Sequence, residues 1–131
     1  MTRAADEITL TLPREESFHP VAQLVLGGMA ARHELTYENL DDLAVALDAL
    51  LERARNQGDV TVTLRARTGT FEAEVGPFHD DAVPLELARE VGADFGLRRV
   101  LETVVDRVEL RERDGEHWVA LEKELASARS R

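Results

Sequence analysis

The sequence contains no cysteine. Disulfides, thiolate nucleophiles and thiolate metal sites are excluded on that ground alone. Small secreted domains usually rely on such staples, so a cytoplasmic setting is expected. Long hydrophobic runs are also missing. The longest nearly apolar stretch, residues 21–31, contains Gln23 and falls far short of the roughly 20 residues that a bilayer span needs. No basic segment followed by an unbroken apolar one opens the chain, so no signal peptide is expected. Lysine is almost absent: of 16 basic residues all but Lys123 are arginine, which reads as coding bias. Histidines are few and scattered at His19, His33, His79 and His117. His79-Asp80-Asp81 holds metal-ligand types, but no second histidine stands at helical or hairpin spacing, so no metal site is expected there. Ser17, Ser127 and Ser130 lie in connections or the tail, and no Gly-x-Ser-x-Gly elbow exists.

What is present bounds the rest. At 131 residues the chain is expected to form one domain over residues 1–125, with 126–131 as a frayed tail. An apolar fraction of 44% is enough to build a core. Acidic residues number 26 against the 16 basic ones, for a formal charge of −10. That charge argues against a nucleic-acid backbone or an anionic membrane as partner and suits a basic protein surface.

Along the chain, Ile8, Leu10 and Leu12 alternate with threonines before Pro13 and predict a strand. Ser17 is the expected cap of a first helix, with Pro20 in its first turn. Gly27 and Gly28 then fall inside that helix, where each costs about 1 kcal/mol against alanine. Close packing against a sheet or a neighbouring helix would explain them. Thr36 caps a second helix from about Tyr37, whose buried stripe runs Leu40, Leu43, Ala44, Leu47, Leu51 and Ala54. Asp41, Asp48 and Glu52 fall on another face of it, which reads as a solvated acidic ridge, a divalent-ion site or a dock for an arginine-rich partner, with Arg55 able to offset part of the charge.

Val60 to Ala66 and Phe71 to Val75 alternate on either side of Thr68-Gly69 and predict a hairpin. Residues 76–84 look irregular, a short helix is expected over 85–91, and Asp94 should cap another carrying Leu97, Val100, Leu101 and Val104. Val108 and Leu110 open a second hairpin through Asp114-Gly115, with the return strand at 118–125. The order β-α-α-β-β-α-α-β-β predicts a two-layer α/β sandwich: a mostly antiparallel mixed sheet covered on one face by helices. Alternation then puts Trp118 on the sheet face away from the core. There it either shields its own strand or meets a second copy or a partner.

This order and these cues resemble the GHKL (Bergerat-fold) ATPases, and more narrowly the anti-sigma-factor serine kinases of bacterial partner switching. The residues that carry the resemblance are Leu12-Pro13; Val25-Leu26-Gly27-Gly28-Met29-Ala30-Ala31-Arg32; residues 41–49; Phe71 to Val75; Gly96-Leu97; and Asp106-Arg107-Val108. The resemblance implies ATP and Mg²⁺ as cofactors and a sigma factor or an anti-sigma-factor antagonist as partner. It also implies a general base on the second helix followed four residues on by a Mg²⁺ ligand. Here Asp48 and Glu52 hold those positions, and Glu52 is a carboxylate where the family has a neutral amide. The adenine box reduces to Gly76-Pro77-Phe78-His79-Asp80, with no aspartate at the strand end. The phosphate box reduces to Asp94-Phe95-Gly96-Leu97, followed by Arg98, for which pairing with Glu102 at i,i+4 is the simpler expectation. Cofactor-binding positions carried over are thus Glu52, Gly76, Gly96, Leu97 and Arg98. With all three boxes altered, the expected role is regulatory protein binding with an eroded ATP site. An active serine kinase and a stand-alone small-ligand-binding domain are the alternatives.

Overall fold

The computed structural model describes residues 6–13, 15–54, 58–88 and 96–125. Strand β1 (Asp6–Leu12) leads through a 3-10 turn into helices α1 (His19–Arg32) and α2 (Tyr37–Ala54). The hairpin β2 (Val60–Arg67) and β3 (Thr70–Phe78) follows, then helices α3 (Ala82–Ala88) and α4 (Leu97–Val104), then the hairpin β4 (Arg107–Arg113) and β5 (Glu116–Glu124). The five strands form one sheet in the order β1-β2-β3-β5-β4. Every pairing is antiparallel, so the expected sandwich is present without the mixed component.

Local chemistry explains most boundaries. Thr36 caps α2 by accepting the Asn39 backbone N–H at 3.0 Å. Asp114 and Gly115 both take positive φ, at 54° and 81°, as a two-residue hairpin turn requires. Asp80 caps α3 by accepting the Ala82 N–H at 3.0 Å, so this helix begins earlier than the sequence pattern indicates and takes Pro84 into its first turn. Strand β3 likewise runs on to Phe78, past the expected stop at Gly76. Ser17 is not the cap of α1: it lies in the 3-10 turn, and Phe18 precedes the helix with no side-chain cap bond. Gly96, not Asp94, precedes α4; Asp94, Arg55, Phe95 and the tail lie outside the described residues.

One apolar cluster joins the helices to a single face of the sheet. Leu26 and Met29 of α1, Leu43, Leu47, Leu50 and Leu51 of α2, and Leu97 and Leu101 of α4 meet Val62, Leu64, Phe71, Val75, Val119 and Leu121. Lys123 projects from the same face of β5. Its Nζ donates to Asp42 Oδ2 and to the carbonyl of Val104, both at 2.8 Å, and so ties α2 to the C-terminal end of α4.

Among the described residues, no helix covers the other sheet face. Arginine and glutamate rows cross it, with Arg65 paired to Glu7 and Glu72, and Glu74 to Arg111 and Arg113. Trp118 lies among them with the Arg113 guanidinium 4.7 Å from its ring centroid. Beneath the ring is Gly76, where an added Cβ would come within 2.7 Å of two indole carbons. Gly27 and Gly28 show the reverse. A Cβ at either meets nothing within 4 Å, so among the described residues the expectation that they allow close packing is not met.

Gly76→Ala should therefore lower stability by about 1–3 kcal/mol through overpacking. Urea unfolding measures this, and adding Trp118→Ala should recover most of the loss.

Candidate functional site

The site begins where α2 runs along α4 and α3 closes the end between them. On α2, side chains four apart share a direction. Asp41, Val45, Asp48 and Glu52 form the exposed ridge, while Ala49 and Arg53 turn inward and are half-buried. The side chain of α2 that meets α3 beside the start of α4 is therefore Arg53, one residue past the expected Mg²⁺ position.

Arg53 grips Glu86 of α3 through two bonds, Nε to Oε1 at 3.1 Å and Nη2 to Oε2 at 2.8 Å. The same Oε2 accepts the backbone N–H of Leu97, the first residue of α4, at 2.9 Å. A helix start presents unpaired N–H groups and a partial positive charge, and a carboxylate satisfies both. Glu86 thus supplies the cap that Gly96 has no side chain to give. Gly96 also leaves the approach open, since a Cβ there would stand 3.8 Å from Oε2. The hydrogen bond that it donates to Glu86 holds the Arg53 guanidinium above its ordinary pKa, with the Coulomb fields of Glu86 and Glu52 adding to it against the lowering by burial. Arg98 completes the cluster: its Nη1 donates to the carbonyl of Leu87 at 2.7 Å and its Nε stands 3.0 Å from Glu102, the expected i,i+4 pair.

The residues carried over by resemblance therefore separate. Gly96 and Leu97 meet Glu86, while Arg98 turns to the Leu87 carbonyl and to Glu102. Asp48 and Glu52 face outward on the ridge. Gly76 lies under Trp118 on the opposite side of the sheet. Phe78, at the altered adenine box, is fully buried in the core cluster. Asp80 is engaged in capping α3, His79 pairs with Glu116 at 2.6 Å, and His117 stands 3.6 Å from Asp81. Among the described residues, no three His, Asp or Glu side chains gather at one point. The Leu97 amide, which the resemblance assigns to the phosphates, is already bonded to a carboxylate, and Asp48 and Glu52 on the exposed ridge of α2 carry further negative charge. A shallow depression of about 200 Å³ exists elsewhere, on the open sheet face, with Ala120 in its floor and Arg65, Arg107 and Arg111 among its rim.

Arg53 and Glu86 escaped the sequence reading. They are 33 residues apart, on separate helices, and no local spacing links them. The one available signal is Gly96 itself, a helix start without a capping side chain, which demands an acceptor from elsewhere.

No family model matches the chain. It is 27% identical over 133 aligned residues to the serine-protein kinase RsbW of Oceanobacillus iheyensis, across 84% of this chain and 82% of that protein. The RsbW of Listeria innocua is 26% identical over the same shares. A shorter match of 79 residues to the RsbW of Bacillus velezensis reaches 30%, across 55% of this chain and 47% of that one. Among solved structures, the fold is similar to the RsbU and RsbW domains of a Mycobacterium tuberculosis protein, with a TM-score of 0.71 and 16% identity over 96% of this chain and 34% of that one. It is also similar to the SiaB–SiaC complex from Pseudomonas aeruginosa, with a TM-score of 0.59 and 12% identity over 91% and 89%. No helix among the described residues is long and apolar enough to cross a membrane. The chain is thus similar in sequence to the RsbW serine-protein kinases over 84% of its length, and its α/β sandwich is similar to that of the solved RsbU–RsbW domains.

Proposed function

We propose that the chain is a partner-switching regulator of anti-sigma-factor type that acts by binding proteins, with its nucleotide seat closed by its own Glu86. The observation that carries this reading is the Glu86 carboxylate on the Leu97 amide, clamped by Arg53. A helix start is where a phosphate would be drawn. An internal anion already satisfies it, and an incoming phosphate would have to displace that anion while passing exposed Asp48 and Glu52. The relatives named serine-protein kinases and the solved SiaB–SiaC complex support a protein partner. A sigma factor or its antagonist in the cytoplasm is the client class, and residues 1–125 act as one unit. Self-association, where it contributes, belongs on the open sheet face, whose alternating arginine and glutamate rows can match themselves across a two-fold axis.

The names of the relatives favour a second reading, an ATP- and Mg²⁺-dependent serine kinase with Asp48 as base and Glu52 at the metal. Calorimetric titration separates the two. No heat with Mg-ATP or Mg-ADP at millimolar concentration is the expected result, and micromolar binding would hand the site to the kinase reading.

The closure itself is tested by a double-mutant cycle. Glu86→Gln and Arg53→Met should each destabilise the chain, with a coupling of about 1 kcal/mol for a charge-assisted pair that keeps some solvent contact. Unfolding midpoints in urea give the coupling, and additive losses would mean that the clamp does not exist.

A further inference from the structure

Helix α1 has two apolar seams, and the fold uses one. Ala22, Leu26, Met29 and Ala30 are buried against the core. Val21, Leu24, Gly28 and Ala31 are exposed, at intervals of three, four and three, the spacing of residues that meet another helix. Leu24 is 77% exposed and Val21 42%. No charge interrupts α1 between Pro20 and Ala31. A helix that is apolar on both sides is one whose second side is built to be covered.

The glycines sharpen this. Nothing among the described residues requires Gly27 or Gly28, since a Cβ at either meets no described atom within 4 Å. Their helix-propensity cost is met by no contact among the described residues. What their bareness allows is close approach of a second backbone from outside.

Beside this seam lies a charged border. The four-residue connection from α1 to α2 makes them an antiparallel pair, and Gln23 fixes its alignment by donating to the carbonyl of Ala44 at 3.1 Å. One turn further along, Gly27 and Gly28 come opposite the turn of α2 that holds Asp41. Asp41 and Asp48 are both exposed on that helix. An apolar strip edged on one side by carboxylates fits a helix with an apolar stripe and lysine or arginine beside it. A second copy of this chain fits poorly, because pairing the same face would bring two acidic ridges together on molecules of charge −10.

We infer that the outer face of α1, bordered by the acidic ridge of α2, is the docking groove for a basic amphipathic helix of a protein partner. The inference deepens the reading of the chain as a protein-binding regulator and rests on it. Its 14 residues give α1 a length of about 21 Å, enough to seat roughly four turns of a partner helix.

The test is an amide-resolved NMR titration of the whole chain with a leucine–lysine amphipathic peptide of about five turns. A peptide of the same composition in scrambled order controls for charge alone. Shifts concentrated at residues 21–31 and 37–48, with affinity at least about ten-fold above the scrambled control, are expected. Leu24→Asp and, separately, Gly28→Gln should each remove that preference; both positions are exposed, so an unchanged spectrum certifies the fold. Equal affinity for the two peptides, or shifts centred elsewhere, would overturn the groove while leaving the regulator reading intact. Sedimentation showing a dimer that Leu24→Asp dissolves would assign the face to a second copy and also overturn it. Nucleotide binding plays no part in the readout, so the outcome is separable from that of the Mg-ATP titration.

Discussion

One carboxylate organises the helical layer. Glu86 belongs to α3, its clamp Arg53 to α2, and the amide it caps to α4. These three helices meet at a point where none of them is connected to the next by a short turn. Apolar contact alone would let them slide, because burial is nearly indifferent to direction. Two bonds to a planar guanidinium and one to a backbone amide fix the approach in a way that burial cannot. The contact is half-solvated, so its energy is modest. Its consequence is positional: it decides what stands at the start of α4.

In the proposed reading, that occupancy is why fold and chemistry part company. The sandwich is shared with RsbW-type relatives, yet a shared fold carries no guarantee about a site. A helix start that would attract an external anion has been given an internal one, and the inward-facing side chain of α2 is a cation committed to holding it. The carboxylates Asp48 and Glu52 face outward on the exposed ridge. The two outer surfaces then divide the remaining tasks. On the open sheet face, Arg65, Arg111 and Arg113 neutralise Glu7, Glu72 and Glu74 locally, so these pairs add little stability one by one but leave the face without a strong field. On the helical side, charge and apolar surface are separated, with the acid on α2 and the bare hydrophobic strip on α1.

Much of the architecture was legible from residue order. The alternation in β2 and β3, the Asp114-Gly115 turn, the Thr36 cap and the α2 stripe are local signals, and local signals need only a few neighbouring residues to act. The errors were local as well. Ser17 has the right chemistry for a cap, but the 3-10 turn displaces it. Asp80 takes over as the cap of α3 and draws Pro84 into the helix. Gly27 and Gly28 were misread because the sequence records that a side chain is missing and says nothing about what stands opposite.

The candidate site divides along the same line. By itself the sequence determined the sandwich, the exposure of the acidic ridge, the Arg98–Glu102 pair and the placement of Trp118 away from the core, since each follows from a period of two or 3.6 residues. The tertiary structure alone decided that Arg53 rather than Glu52 turns inward, that Glu86 reaches the Leu97 amide, and that Gly76 serves Trp118. The physical reason is range. Periodicity fixes which way a side chain points relative to its own helix or strand, but the partner it meets depends on where a second element has been carried by the rest of the chain.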